Sequence, residues 1–388
     1  MNGYSRILLN PSTTIHRNRI FSNWSETLSH IKKCKNGPYT YNEIYFQRNF
    51  AFWSKGSGNN LQPEKNYEII QPGLLPKDHA ILTKNMVSSI PSQIRLPEYA
   101  NTSIPIKEDS TIKPGELYAN VLTIWNENDI KRIRKSCKLA KNVLRTIANT
   151  ISLHSQSVSS CTKLPKYRNL NDQKVLTTND LNNMAHEMII SANAYPSQLN
   201  FNGFPKSIST SVNNVAAHGI PDDRPLQLGD MINVDVSVYC DGFHGDCAET
   251  FMFGDNCDAE GYHLMNSSKE CLFAAIAACA PGAPLRAIGH SVSKFSKRRG
   301  VKAISNLCGH GIGTLFHMGE DIYHVPNHYL GTMKPGNVFT IEPHITEGFA
   351  GVEISADGFS LVTRDSARVA MYEHTVLVTE YGIDLLTL

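Results

Sequence analysis

The stretch NVDVSVYCDGFHGD, residues 233–246, reads as a strand, a tight turn and a returning strand, yet it carries carboxylates at Asp235 and Asp246. In a hairpin closed by a two-residue turn, at either Cys240-Asp241 or Asp241-Gly242, directly paired positions sum to an odd number. Asp235 and Asp246 also sum to an odd number, so both side chains emerge on one face; a three-residue loop would split them. Two like charges held together in an apolar sheet are strongly unfavourable unless a proton or a metal neutralises them.

Other polar residues interrupt apolar surroundings. CGHGIGTLFH sets His310 and His317 seven apart among glycines, and VFTIEPHI places Glu342 directly after an apolar strand. AMYEHTVLVT embeds Glu373 in a β run, and VNNVAAHGIPDD ends a strand at His218. Taken singly, such a Glu or His is usually a solvated or hydrogen-bonded structural group. Together, two Asp, two Glu and His310 supply four carboxylates and one imidazole, too much negative charge for a single zinc. The set suits two divalent cations bridged by carboxylates at about 3.5–4 Å. Oxygen-rich ligation favours Mn(II), Fe(II) or Co(II), with Zn(II) admissible. Asp222 and Asp241 read as turn formers and Cys308 as core. His244 and His374 read as structural, on the faces opposite their neighbouring ligands.

The elements that must position these residues follow from pattern. NENDIKRIRKSCKLAKNVLRTIANTI predicts a helix capped by Asn126, with Ile130, Ile133, Cys137, Ala140, Val143, Leu144, Ile147 and Ile151 as its apolar face. Residues 152–176 lose that period and read as a long polar loop; a second helix is expected over 179–192 with Asn179 as cap. Strands are expected at 207–217, 231–239 and 243–252, helices near 259–280 and 284–299, and strands around 338–342, 352–354, 359–363 and 369–379. Two helices then strands, twice over, hints at a duplicated α+β half.

A net charge of +2 gives no electrostatic footprint for nucleic acid. Nine cysteines without a C-x-x-C pair argue against a disulfide framework or a zinc finger. The longest apolar run, LFAAIAACA, is too short to span a bilayer, and no membrane role is expected. Residues 1–55 hold eight Lys/Arg against Glu26 and Glu43, a profile suiting an organellar transit peptide or a solvated extension. Residues 56–120 are punctuated by proline and read as an extended arm, leaving 121–388 as the main domain.

The segments NAYPSQLNFNGFPKSISTSVNNVAAHGIPDDRPLQLGDMINVDVSVYCDGFHGDCAETF, GHGIGTLFH, FTIEPHITEG and YEHTVLVT closely resemble type 1 methionine aminopeptidases. The resemblance runs from about Trp125 to the C-terminus apart from 152–176. It implies the α+β pita-bread fold, an antiparallel sheet flanked by helices with an internal pseudo-two-fold. It also implies five metal ligands, Asp235, Asp246, His310, Glu342 and Glu373, with Asp246 and Glu373 bridging a metal pair. Glu342 is then the proton acceptor from water, and His218 and His317 flank the scissile bond. Phe201, Phe204, Ser209, Phe316 and Phe359 match the family's methionine pocket.

The chain departs from the family pattern at several places. Ser209 and Phe359 stand for Cys and Trp, Met371 and Val369 for Gln and Ser, and Gln198 and Asn200 for smaller residues. Only 32 positions separate His310 from Glu342, which excludes the helical insertion of type 2 enzymes, and no paired cysteines precede residue 120. IPSQIRLPEYANTSIP resembles the arm of organelle-targeted members, which with the basic leader points to mitochondrion or plastid, the cytoplasm being the alternative. The expected substrate is the N-terminal Met of nascent polypeptides near an organellar ribosome, and the expected state is monomeric. Competing readings are an aminopeptidase P or prolidase, or a metal-free pita-bread module that binds proteins.

Overall fold

A computed structural model describes residues 65–106, 122–162, 175–255 and 258–388. The expected transit peptide lies outside the described residues, as do parts of the arm and residues 163–174 of the expected polar loop.

Helix α1 (His79–Ser88) lies in the arm, where no helix was expected, and buries Thr83 and Val87. Helix α2 (Glu127–Thr162) starts as expected: the Asn126 Oδ1 accepts from the backbone N–H of Asn128 at 3.0 Å and of Asp129 at 3.1 Å. Its buried stripe is the one read from sequence, with Ile133, Cys137, Ala140, Val143, Leu144, Ile147 and Ile151 almost fully enclosed. The helix does not stop at 151, however. Ile151, Ser155 and Val158 continue a narrow buried edge, and polar side chains bond back to the helix backbone, as His154 does to the Thr150 carbonyl at 3.0 Å. That edge is too thin to register as amphipathic periodicity.

Helix α3 (Thr178–Ser191) is capped by Thr177 rather than Asn179, in a box closed by Asp180. Asn179 instead donates to Asp223 at 2.9 Å. Helices α4 (Ala259–Ala277) and α5 (Ala287–Arg299) fall where the sequence places them.

The strands form antiparallel sheets. In the first, β1 (Tyr195–Pro196) and β2 (Ser209–Val212) share one side of β4 (Met231–Cys240), and β5 (Phe243–Met252) takes the other. Strand β3 (Val215–Ala217) belongs to another sheet, so the strand expected over 207–217 is in fact two. Asn213, at φ +52°, turns the chain between them, and its side chain ties to Asp230 and the Met231 N–H. In the second half β6 (Lys302–Ala303), β7 (Cys308–Gly311), β8 (Met318–Tyr323), β9 (Val338–Ile341) and β10 (His344–Thr346) are followed by β11 (Val352–Ile354) and β12 (Leu361–Thr363). Strands β13 (Val369–Met371), β14 (His374–Val378) and β15 (Ile383–Leu385) complete the chain. They order as β15-β14-β9-β7-β8, β13-β10-β6 and β11-β12-β3.

Each half has its own core. Helices α2 and α3 pack on Ile232, Val234, Val236, Val238 and Cys247 of β4 and β5, while α4 and α5 pack on Phe339, Ile341, Ile345 and Val376. This repeat is the internal duplication that the order of elements suggested. The β4–β5 hairpin closes through Asp241 and Gly242, both at positive φ, the type I′ turn that suits a right-twisted pair. At Gly245 the backbone of α2 approaches so closely that a Cβ would run into Ser136 and Cys137. The apolar face of the hairpin is thereby pressed on α2, and its polar face is turned toward the second half.

Candidate metal centre

The hairpin register pairs Ser237 with Asp246 and Asp235 with Ala248. Asp235 and Asp246 are thus diagonal neighbours on one face, as the parity argument requires. The opposite half supplies the remaining groups from interruptions in its strands. Glu342 lies between β9 and β10, and Glu373 lies between β13 and β14. Because β9 pairs with β14 and β10 with β13, the two breaks fall side by side. Ligand atoms of Asp235, Asp246 and Glu373 all lie within 4.8 Å of one another. His310 joins them, with Nε2 3.8 Å from Asp246 Oδ2 and 3.7 Å from Glu342 Oε1. Its Nδ1–H donates to the Gly311 carbonyl at 3.0 Å, which leaves the Nε2 lone pair facing the acids.

Four carboxylates in one buried cluster are electrostatically untenable as anions. Among the described residues no Lys or Arg forms an ion pair with any of them. Desolvation raises the Asp235 carboxyl to about 7 and the Glu342 carboxyl to about 8. Burial, then the neighbouring acids, pushes Asp246 and Glu373 well above the carboxylate range. Burial lowers His310 to about 4, so the imidazole is neutral at pH 7. Glu373 Oε1 is buried with no hydrogen-bond partner. A neutral imidazole lone pair, four crowded carboxylates and an orphaned oxygen fit a divalent-metal site.

Imidazole and aromatic rings adjoin this centre. The rings of His317 and His310 lie 3.9 Å apart between centroids. His317 is held well below the usual histidine range, first by desolvation and then by His310 and His218. His218 and His317 both reach solvent, and His218 sits at φ +55°. Phe201 packs edge-on against Phe316 at 4.9 Å and lies 5.0 Å from His317, and Phe204 meets Phe359 edge-on at 5.6 Å. Phe201 opens one 3-10 turn and Phe204 follows it, so that turn carries one ring of each pair. Ser209 is the direct register partner of Asp235, which sets this buried serine beside the acids.

A model described as metallopeptidase family M24 matches residues 131–380. The chain belongs to that family. Within M24 it groups with the methionine aminopeptidases. It is 34% identical to the mitochondrial methionine aminopeptidase 1D of Danio rerio, over 93% of both chains. To the Homo sapiens protein of the same name it is 39% identical, over 80% of this chain and 84% of that one. A solved methionine aminopeptidase from Rickettsia prowazekii superposes with a TM-score of 0.61 at 33% identity, covering 69% of this chain and all of the other. As an M24 metallopeptidase the chain is a hydrolase that binds divalent metal.

Several residues of this M24 centre escaped the sequence reading. His244 lies on the same face as Asp246, two positions away, not on the opposite one. Its Nδ1 is 2.8 Å from Ser197 Oγ, and its ring stacks on Phe316 at 5.3 Å, so it supports the aromatic wall from beneath. The period of two would have placed it correctly. Thr340 donates to Glu342 Oε1 at 2.8 Å and Ser237 to Asp246 Oδ1 at 2.7 Å. Each stands two positions from an acid, a spacing visible in the sequence but carried by residues too common to signal anything. Met371 acts through its backbone: its carbonyl accepts from Thr250 at 2.8 Å and from Asn233 at 2.9 Å.

Proposed function

We propose that this chain removes the N-terminal methionine from nascent polypeptides whose second residue is small, using two divalent ions held by Asp235, Asp246, His310, Glu342 and Glu373. The observation that carries the reading is the group of acids meeting within 4.8 Å, with the His310 Nε2 beside them and no Lys or Arg partner among the described residues. In this assignment Asp235, Asp246 and Glu373 would hold divalent metal together with His310 and Glu342, which stand beside them. When bound, the ions supply Lewis acidity to the scissile carbonyl and make water nucleophilic at neutral pH. The oxygen-rich donor set favours Mn(II), Fe(II) or Co(II).

The chain's own residues perform the remaining tasks. Glu342 accepts the proton of the attacking water and returns it to the leaving amine. Its separation of 3.7 Å from the neutral His310 keeps it within the polar centre. His218 and His317 hydrogen-bond the substrate amide and the developing oxyanion. Phe201, Phe204, Phe316 and Phe359 receive the thioether by area burial and sulfur–ring contact, with Ser209 at the floor.

Peptide hydrolysis with Mn, Co, Fe and Zn supplied in turn tests this reading. Release of Met from Met-Ala-Ser, with X-Pro peptides left intact, is the expected result. Cleavage of X-Pro peptides alone, or no turnover with any metal, overturns it.

The mitochondrial names of the relatives and the basic leader support action in the mitochondrion. A reporter fused to residues 1–60 is expected to enter that organelle, and a diffuse cytosolic signal contradicts this. The working form is taken as a monomer acting near the organellar ribosome, with sedimentation at the mass of one chain as the check on the monomer.

A further inference from the structure

Gln198 follows β1 in the loop that leads to Phe201 and is buried at 8% exposure. Its Nε2 points into three oxygens: Asp235 Oδ1 at 2.8 Å, the Asp235 carbonyl at 3.1 Å and Ser237 Oγ at 3.2 Å. An amide turned the other way would set its carbonyl oxygen against a carboxylate, so the donor end must face the acid. Ser237 in turn donates its one proton to Asp246 Oδ1 at 2.7 Å. One amide therefore reaches Asp235 directly and Asp246 through a single hydroxyl, and it engages Oδ1 of both. Asp246 Oδ2 is the oxygen that faces His310.

The loop bearing Gln198 is itself fixed. Ser197 N–H pairs with the Ser237 carbonyl at 2.9 Å, and the Tyr195 hydroxyl donates to the Leu199 carbonyl at 2.8 Å. From the arm, the Tyr99 hydroxyl donates to the Ser197 carbonyl. Asn200, held in the left-handed conformation, donates to the Ala100 carbonyl at 2.7 Å and accepts from Ser103 at 2.8 Å.

We propose that Gln198 is a positioning residue that orients the Asp235 and Asp246 carboxylates for metal, and that the arm residues Tyr99–Ser103 hold it in place. The inference rests on the metal assignment above. A donor fixed on one oxygen of a carboxylate sets the plane of the group, so the other oxygen is presented in one direction before an ion arrives. Loss of such a partner typically weakens metal affinity by about 10–100-fold.

The test is Mn(II) calorimetry on the full-length metal-free chain and its Gln198→Met and Gln198→Leu variants, alongside metal-free thermal unfolding. Mn(II) binding by the parent chain tests the metal assignment; the ratio of variant to parent tests the role of Gln198. Both variants are expected to bind Mn(II) about tenfold or more weakly, with metal-free unfolding temperatures close to the parent. At saturating Mn(II), KM for Met-Ala-Ser is expected to be unchanged. Binding within twofold of the parent overturns the proposal. Failure of both variants to fold also overturns it, since Gln198 would then be a structural group only.

Discussion

In the N-terminal half Asp235 and Asp246 project from an unbroken hairpin of two ten-residue strands, whereas in the C-terminal half Glu342 and Glu373 occupy breaks between sheets. The short aspartates sit close to a continuous backbone, and both accept hydrogen bonds, from Gln198 and Ser237. The longer glutamates reach in from interruptions in paired strands. Glu342 has Thr340 as a donor, but Glu373 Oε1 has none. One half fixes its carboxyl groups with hydrogen-bond donors, and the other leaves at least one buried oxygen without a partner.

The largest effect that can break this comparison is on activity. Asp246→Asn and Glu342→Ala are each expected to lower kcat/KM for Met-Ala-Ser by about 10³-fold, in the range of lost acid–base assistance. Steady-state kinetics at saturating metal reads this, and near-parental turnover by Glu342→Ala would remove its proton-transfer role. Stability should move the other way. Glu373→Gln removes an orphaned buried acid and is expected to raise the metal-free unfolding temperature at pH 8, more than Asp246→Asn, which disturbs the Ser237 bond.

Next comes the pH dependence of the metal-free protein. Asp235 at about 7 and Glu342 at about 8 keep protons that the unfolded chain has already released. The folded state therefore binds more protons, and stability falls as pH rises through this range. His310, lowered to about 4, has the opposite sign, as do the other histidines that burial lowers, among them His244, His324, His344 and His374; their rise fades only about one pH unit above the unfolded histidine value of about 6.5. From about pH 7.5 to 8.5 the carboxylate slope dominates, with Asp246 and Glu373 raised alongside Asp235 and Glu342. Calorimetric scans should show the metal-free unfolding temperature falling across that window, with the slope suppressed by bound Mn(II). A rising curve would contradict the assignment.

Smaller effects separate the apolar wall from the scaffold. Phe201→Ala, which removes the ring touching both Phe316 and His317, is expected to raise KM by roughly 30–100-fold, equivalent to about 2–3 kcal/mol. Gly242→Ala places a Cβ at φ +86° in the hairpin turn. It should cost about 1 kcal/mol in urea unfolding while leaving KM unchanged.

Much of this was legible in the chain itself. Parity alone put Asp235 and Asp246 on one face, and the α2 stripe followed from its helical period. The duplicated order of elements was visible, and the motifs around His310, Glu342 and Glu373 carried the family resemblance. What stayed hidden were features decided by tertiary contact. The break at Asn213 depends on its bonds to Asp230 and Met231, which no local signal announces. The extension of α2 through Ser155 depends on a thin buried edge. The Thr177 cap lost to Asn179 because both are good N-caps, and only Asp180 at the third helical position decides between them. Gln198 showed only as a departure from the family pattern; its role stayed hidden because a loop glutamine meets Asp235 only once β1 pairs with β4.

The central claim is that the two halves together make one site for two divalent ions. Mn(II) calorimetry on the metal-free parent chain and on Asp246→Asn tests it most directly. The account requires about two equivalents bound by the parent and loss of tight binding in the variant, since Asp246 stands between the other acids and His310. Absence of Mn(II), Co(II), Fe(II) and Zn(II) binding in the parent, or two tight equivalents retained by Asp246→Asn, would contradict it.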